Sequence, residues 1–339
     1  MATPATVSRL RRLGSRLLCS GIAAFALHSA LAQVPAAGAA QAYPNRPIRL
    51  IVTFPPGGGT DALARLLGQE LGRRIGQSVI VENRPGASGN IAAEFVAKSA
   101  SDGYTLLIIN SSFAMNAGLF SKLPFNPVAD FAPVVMLATV PSMIAVHPSV
   151  PAKNLRDLVA LAKAQPGKLS FSSCGNGTPQ HLGGEMLKRA AKIDIVHVPY
   201  KGCGPALADT LGGQVPIAIN TVANTMPHVK SGKLRAIALV SPRRYELAPD
   251  VPSVAESGYR GIDVDQWYAI LAPAGTPPDV VAFLNREFVA VVADPSVRER
   301  MLAASFEPQT STPERIGEII RKDVEHWTKL IHEIGIKMD

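Results

Sequence analysis

Cysteine is scarce in this chain, with three among 339 residues, and Cys19 falls in a stretch that reads as a removable leader. Two remaining cysteines, Cys174 and Cys203, rule out a disulfide scaffold, so a buried core must hold the fold. Charged residues make up only 18% of the chain. The bases are scattered, with no cluster interleaved with aromatics, which argues against nucleic acid as a partner. Beyond the leader, no apolar stretch approaches the ~20 residues needed to span a bilayer. Sequences that announce common chemistry are missing too. Gly232-Lys233 is followed by Leu234, and Pro227 stands where a Walker A glycine belongs. "GNGTPQH" and "GCGPAL" open like dinucleotide fingerprints but lack the third glycine. "HEIG" has no second histidine four positions on, and there is no G-x-S-x-G elbow and no C-x-x-C pair. No catalytic residue, cofactor or metal is therefore expected.

What is present begins with the leader. Arg9, Arg11, Arg12 and Arg16 precede an acid-free apolar run from Leu17 to Leu31, the layout of a secretory signal. Ala30-Leu31-Ala32 offers a cleavage site, so residues 1–32 read as the signal peptide, with later sites as far as 42. The run is short for a membrane anchor and is interrupted by His28 and Ser29. Cys19 lies at the start of that run, whereas a lipoprotein cysteine follows it. Losing four arginines takes the formal net charge from +8 to +4. The exported, soluble remainder of roughly 300 residues exceeds what one core usually organises, which points to two domains.

From Ile48 onward, apolar runs of strand length ("IRLIVTF", "SVIVEN", "YTLLIIN", "KLSFSS", "DIVHVPY", "VPIAIN", "LRAIALVS") alternate with segments of helical period. This is the pattern of an α/β fold with parallel sheets covered on both faces. Leu63, Leu66, Leu67, Leu71 and Ile75 share one helix face, and Gly76 closes that helix. Asn154 caps a second helix that Pro166-Gly167 stops, and Thr178-Pro179 opens a third. Ile316, Ile320, Val324, Trp327 and Ile331 mark a long amphipathic helix near the C-terminus. "VVMLATVPSMIAVHPS" and "DVDQWYAILAPAGTP" are extended in character and read as two crossings between domains. The expected domains are 43–141 plus 267–339, and 142–266.

Ligands of open α/β sheets sit beyond the carboxyl ends of the strands. Four turns there are rich in glycine or small polar residues: "FPPGGGTD" and "ENRPGASGN" in one domain, "SSCGNGTPQHLGGE" and "PYKGCGPAL" in the other. Glycine lets the backbone approach a bound group closely, and each helix start adds partial positive charge, so an anion is the natural guest. The alternative for any single loop is an ordinary tight turn. His181 lies in the first turn of a helix, facing the cleft or serving as a cap. His197 reads as a packed strand residue, Asp61 as a complement to its helix start, Lys201 as a solvated base and Tyr200 as an amphipathic wall residue. Whether Cys174 and Cys203 pair stays open, because Cα separation is not written in a sequence.

"YPNRPIRLIVTFPPGGGTDALARLLGQEL", "VIVENRPGASGNIAAEFVAKSASDGYTLL", "GNGTPQHLGGE", "VPYKGCGPALADTLGGQV", "PHVKSGKLRAIAL" and "LAPDVPSVAESGY" together resemble the tripartite tricarboxylate transporter receptors, also called Bug proteins, over essentially the whole mature chain. The resemblance implies a two-domain periplasmic binding protein fold of type II with two crossover segments. It also implies a monomeric receptor that delivers a small carboxylate to a large and a small membrane subunit, some relatives serving sensor proteins instead. Family ligands are held by backbone N–H groups at the loop ends. That points here to Phe54, Gly57, Gly58, Gly59, Thr60, Ser88 and Ser111, and across the cleft to Ser173, Thr178, Tyr200 and Asn220, with His181 a further candidate from its place in the helix's first turn. Many relatives carry aspartate where Asn220 stands, which favours a carboxylate without a free amine. An exported enzyme acting on a carboxylate or phosphorylated metabolite is the other reading.

Overall fold

The computed structural model describes residues 43–336, so the leader and Cys19 lie outside the described residues. From Arg46 onward the chain forms one compact unit. It contains two sheets. The first has the order β11-β4-β10-β3-β1-β2, from β1 (Ile48–Val52), β2 (Val79–Asn83), β3 (Thr105–Asn110), β4 (Phe131–Val140), β10 (Gln266–Pro273) and β11 (Glu307–Pro308). The second has the order β7-β6-β8-β5-β9, from β5 (Ser142–Val146), β6 (Ser170–Ser173), β7 (Val196–Pro199), β8 (Ile217–Thr221) and β9 (Arg235–Leu239). The α/β class is as the sequence predicts, but neither sheet is purely parallel. β10 runs against β3 and β4, and β5 runs against β8 and β9. These are the strands with which the chain enters each sheet from the other. A strand arriving from the neighbouring half starts at the end where its new neighbours finish, so it must run opposite to them. Only Pro141 separates β4 from β5.

Helices follow most of the strands. α1 (Gly59–Ile75), α2 (Asn90–Ala97) and α3 (Ser112–Leu119) come after β1, β2 and β3; α4 (Leu155–Ala164) follows β5; α5 (Pro179–Ala191), α6 (Cys203–Leu211) and α7 (Val222–Lys230) come after β6, β7 and β8. α8 (Pro278–Ala293), α9 (Pro295–Ala303) and α10 (Pro313–Ile334) complete the chain. Local signals explain their ends. Asn154 caps α4 by accepting from the Asp157 N–H, and Thr178 caps α5 with Pro179 at its first position. Gly76 and Gly335 close α1 and α10 in the left-handed conformation. The apolar runs are buried along β1, β3, β5, β8 and β10, and one cluster of side chains runs through the cores of both sheets, from Ile51 and Leu107 to Ile144, Ile219 and Val240.

α10 packs its Ile316, Ile320, Trp327 and Ile331 face inward, against α3 and β4. Its approach to α3 depends on Gly118, where an added Cβ would stand 2.8 Å from Thr328 Cα and 3.0 Å from the Trp327 carbonyl oxygen. Backbone cannot yield as a flexible side chain does. Gly118→Val is therefore expected to cost about 1–3 kcal/mol or more of stability through overpacking. Urea denaturation checks this, and an unchanged midpoint would show that the helices part freely.

Candidate functional site

All four glycine-rich turns meet between the two sheets. The turn after β1 faces the turn before α6: a Cβ at Gly202 would stand 3.0 Å from Pro55 Cδ, and one at Gly58 would stand 3.9 Å from Cys203 Cβ. The turn after β2 faces the turn after β6, where the Ser88 hydroxyl donates to the Asn176 carbonyl and a Cβ at Gly177 would stand 3.3 Å from Ser88 Oγ. Each contact pairs residues on either side of the β4–β5 crossing.

Between these turns lies a cavity lined by Phe54, Gly58, Gly59, Thr60, Asn110, Cys174, Thr178, Gln180, Cys203, Gln266 and Tyr268. It leaves about 10 Å³ open to the centre of a water molecule, the room of a single water. No lining residue is charged. α1 and α6 begin beside it at Gly58 and Gly202, glycine N-caps without a side-chain cap, so the orphan N–H groups of two helix starts lie at its wall. Asp61 braces the first turn from behind. Its carboxylate accepts from Gly57 N–H, Asn83 Nδ2 and Arg65, and these bonds hold its pKa below the usual carboxylate range against the opposing effect of burial. On the crossover side, Gln180 Nε2 donates to Ser142 Oγ and to Gln266 Oε1, each at 2.9 Å, and Gln266 Nε2 donates to the Tyr268 hydroxyl at 3.0 Å. This neutral chain joins α5 to β10 across the gap.

The structure brings Phe54, Gly58, Gly59, Thr60 and Thr178 together at the cavity. Gly57 is exposed at the rim, its N–H engaged by Asp61. Ser88 lines an adjoining crevice that shares Phe54 and Asn110 with the cavity, and Ser111 is buried at the start of α3. The remaining candidates stand outside the lining. Tyr200 turns its hydroxyl to Asp209 Oδ2 at 2.5 Å, and burial followed by that carboxylate pushes its pKa up to about 12. Asn220 is fully buried, donating to the Cys203 carbonyl at 3.0 Å and accepting from Thr221 N–H and Asn224 Nδ2. Cys174 and Cys203 form a disulfide, and both line the cavity. Sequence reasoning passed over Asn110, Gln180, Gln266 and Tyr268. Gln266 and Tyr268 sit two apart on β10, a period-two signal inside the second crossing segment. Gln180 adjoins His181 in a quoted motif, but the helix turns the glutamine to the cavity and the histidine away.

His181 instead accepts the Gly177 N–H at Nδ1 and stacks on His197 with ring centroids 4.1 Å apart. His197 Nε2 lies 2.7 Å from Ser173 Oγ, and its ring also stacks on Phe171. The stack props the loop after β6 from behind. Burial lowers the pKa of His181, and burial with the positive field of His181 and Lys188 lowers that of His197 from 6.5 to about 3. A histidine depressed in the folded state stabilises it fully above the unfolded pKa, and that stabilisation is lost as pH falls from about 6.5 toward about 3. Melting temperatures should therefore drop across this window, and His197→Gln should flatten the drop. Parallel curves for the two proteins would clear His197 of the effect.

The family model described as "Tripartite tricarboxylate transporter family receptor" matches residues 63–336. Protein BugT of Bordetella pertussis is 37% identical over 319 residues, covering 94% of this chain and 98% of its own. Among solved structures, a protein of R. palustris with adipate matches at TM-score 0.84 and 32% identity, over 87% of this chain and all of that one. MatC from Rhodopseudomonas palustris, with bound malate, matches at TM-score 0.80 and 30% identity, over 85% of this chain and all of that one. The family comprises periplasmic solute-binding receptors rather than enzymes, which removes the exported-enzyme reading. On its family match, its relatives and its two-sheet fold, the chain belongs to the tripartite tricarboxylate transporter receptors, the Bug proteins.

Proposed function

We propose that this receptor captures a small carboxylate between two domains, 43–141 with 267–339 and 142–266, and delivers it as a monomer to the large and small membrane subunits of a tripartite transporter or to a sensor protein. Export by the N-terminal signal would place it in the periplasm. One observation carries the reading: the cavity between the glycine turns presents two uncapped helix starts and no charged side chain. An ionised group leaves water only where hydrogen bonds replace its solvation. The orphan amides supply those bonds without an arginine clamp. The adipate and malate held by structural relatives are ligands of this chemistry.

The magnitudes agree. An N–H bond to a charged oxygen contributes about 1.5–3 kcal/mol, and a helix start about 0.3–1 kcal/mol. Four or five contacts reach the ~8 kcal/mol of micromolar binding after ordering costs. A cavity with the room of one water cannot hold a dicarboxylate, so on this reading the domains stand further apart when it binds, with the two crossover segments as the hinge.

Gly58 offers the sharpest test. Its φ of −91° suits any residue, and an added Cβ meets nothing nearer than 3.9 Å. Gly58→Val should fold normally by circular dichroism yet bind adipate at least about tenfold more weakly, one amide contact being worth that much. Calorimetry showing equal affinity in both proteins would remove the first glycine turn from the site.

A further inference from the structure

We propose that the Cys174–Cys203 disulfide is a working part of the ligand wall, so that opening it with a dithiol lowers affinity for the carboxylate, and a bound carboxylate shields it from the dithiol. This rests on the carboxylate reading above. The bridge joins two different turns of one half of the molecule: Cys174 directly follows β6, and Cys203 is the first residue of α6. Both line the cavity. Both turns also touch the opposite half, through Asn176 against Ser88 and through Gly202 and Cys203 against Pro55 and Gly58. The bridge thus sits where the two halves close.

The bridge is the covalent tie between these turns. β7, which leads to α6, is a short edge strand, and the glycines at 175, 177 and 202 all have positive φ, backbone with wide freedom. The other ties are noncovalent: β7 pairs with β6, Tyr200 N–H donates to the Ser173 carbonyl at 3.3 Å, and Ser172 Oγ meets Thr210 Oγ1 of α6 at 3.0 Å, all of them behind the tips that carry the two cysteines. Without the bridge, the uncapped start of α6 can shift relative to the turn after β6, and the orphan amides lose the spacing that one carboxylate requires. Access supplies the other half of the coupling. Cys174 is only 3% exposed and Cys203 is half-buried, so the bridge opens fully to a dithiol when the halves part. A dithiol thiolate attacks one sulfur to give a mixed disulfide and one free protein thiolate. The second dithiol sulfur then displaces the other, leaving two protein thiols and an oxidised dithiol. Two events that compete for the open and closed forms are linked reciprocally.

The test uses the mature protein, with adipate and malate as probes and dithiothreitol as the dithiol. Reduced protein and the Cys174→Ala/Cys203→Ala variant should bind the probes at least about tenfold more weakly than oxidised protein, with unchanged circular dichroism, and saturating probe should slow reduction at least about tenfold. A bridge that is only structural would lower the melting temperature while leaving affinity and reduction rate untouched, and that result overturns the proposal. Ser88→Phe, which drives a ring into the Asn176 contact, gives a probe-free arm: reduction should accelerate several-fold. If oxidised protein binds neither probe, the dicarboxylate reading fails, and this arm still decides whether closure guards the bridge: an unchanged rate refutes it.

Discussion

Backbone amides left without partners at two helix starts are the constraint around which this molecule is arranged. A side chain at Gly58 or Gly202 would supply the cap that most helices have; glycine leaves the N–H groups bare and lets the opposite turn approach. Both helices follow strands whose carboxyl ends point into the gap between the sheets, so the fold delivers the bare amides to one cavity. Asp61 belongs to the same design. Its negative charge stands at a helix start, yet three donors, Gly57 N–H, Asn83 and Arg65, engage it, and it is absent from the cavity lining.

The two crossings explain why the site can be shared by halves that are far apart in sequence. Each crossing delivers its first strand antiparallel into the middle of the receiving sheet, beside the parallel strands that end at the gap. β10 brings Gln266 and Tyr268 to the cavity wall, and β5 brings Ser142 beneath it to accept from Gln180. The glutamine chain there joins α5 to β10 without a charge, so closure costs no ion desolvation on that side.

Much of this was legible in the sequence because the signals were local. Glycine runs at strand ends, threonine before proline, and apolar runs of strand length each state their own geometry within a few residues. Strand direction was not legible, since an apolar run reads the same both ways, and the parallel expectation failed at β5 and β10. Nor was the orientation of single side chains. His181 and Gln180 are neighbours, and one residue of helix rotation, about 100°, separates a cavity wall from a packed histidine stack. Asn220 drew notice at the end of β8 but serves the Cys203 carbonyl, a partner seventeen residues away that no local pattern shows. The disulfide needed the fold before its two turns could be seen to adjoin.

The uncharged lining has a consequence for how such a pocket diversifies. On the proposed reading, in which main chain anchors the acid group, Asn110 lines the cavity without holding that group and is at liberty to drift. Strength of capture and choice of cargo then reside in separate atoms, and a lineage can change its diet one neutral substitution at a time.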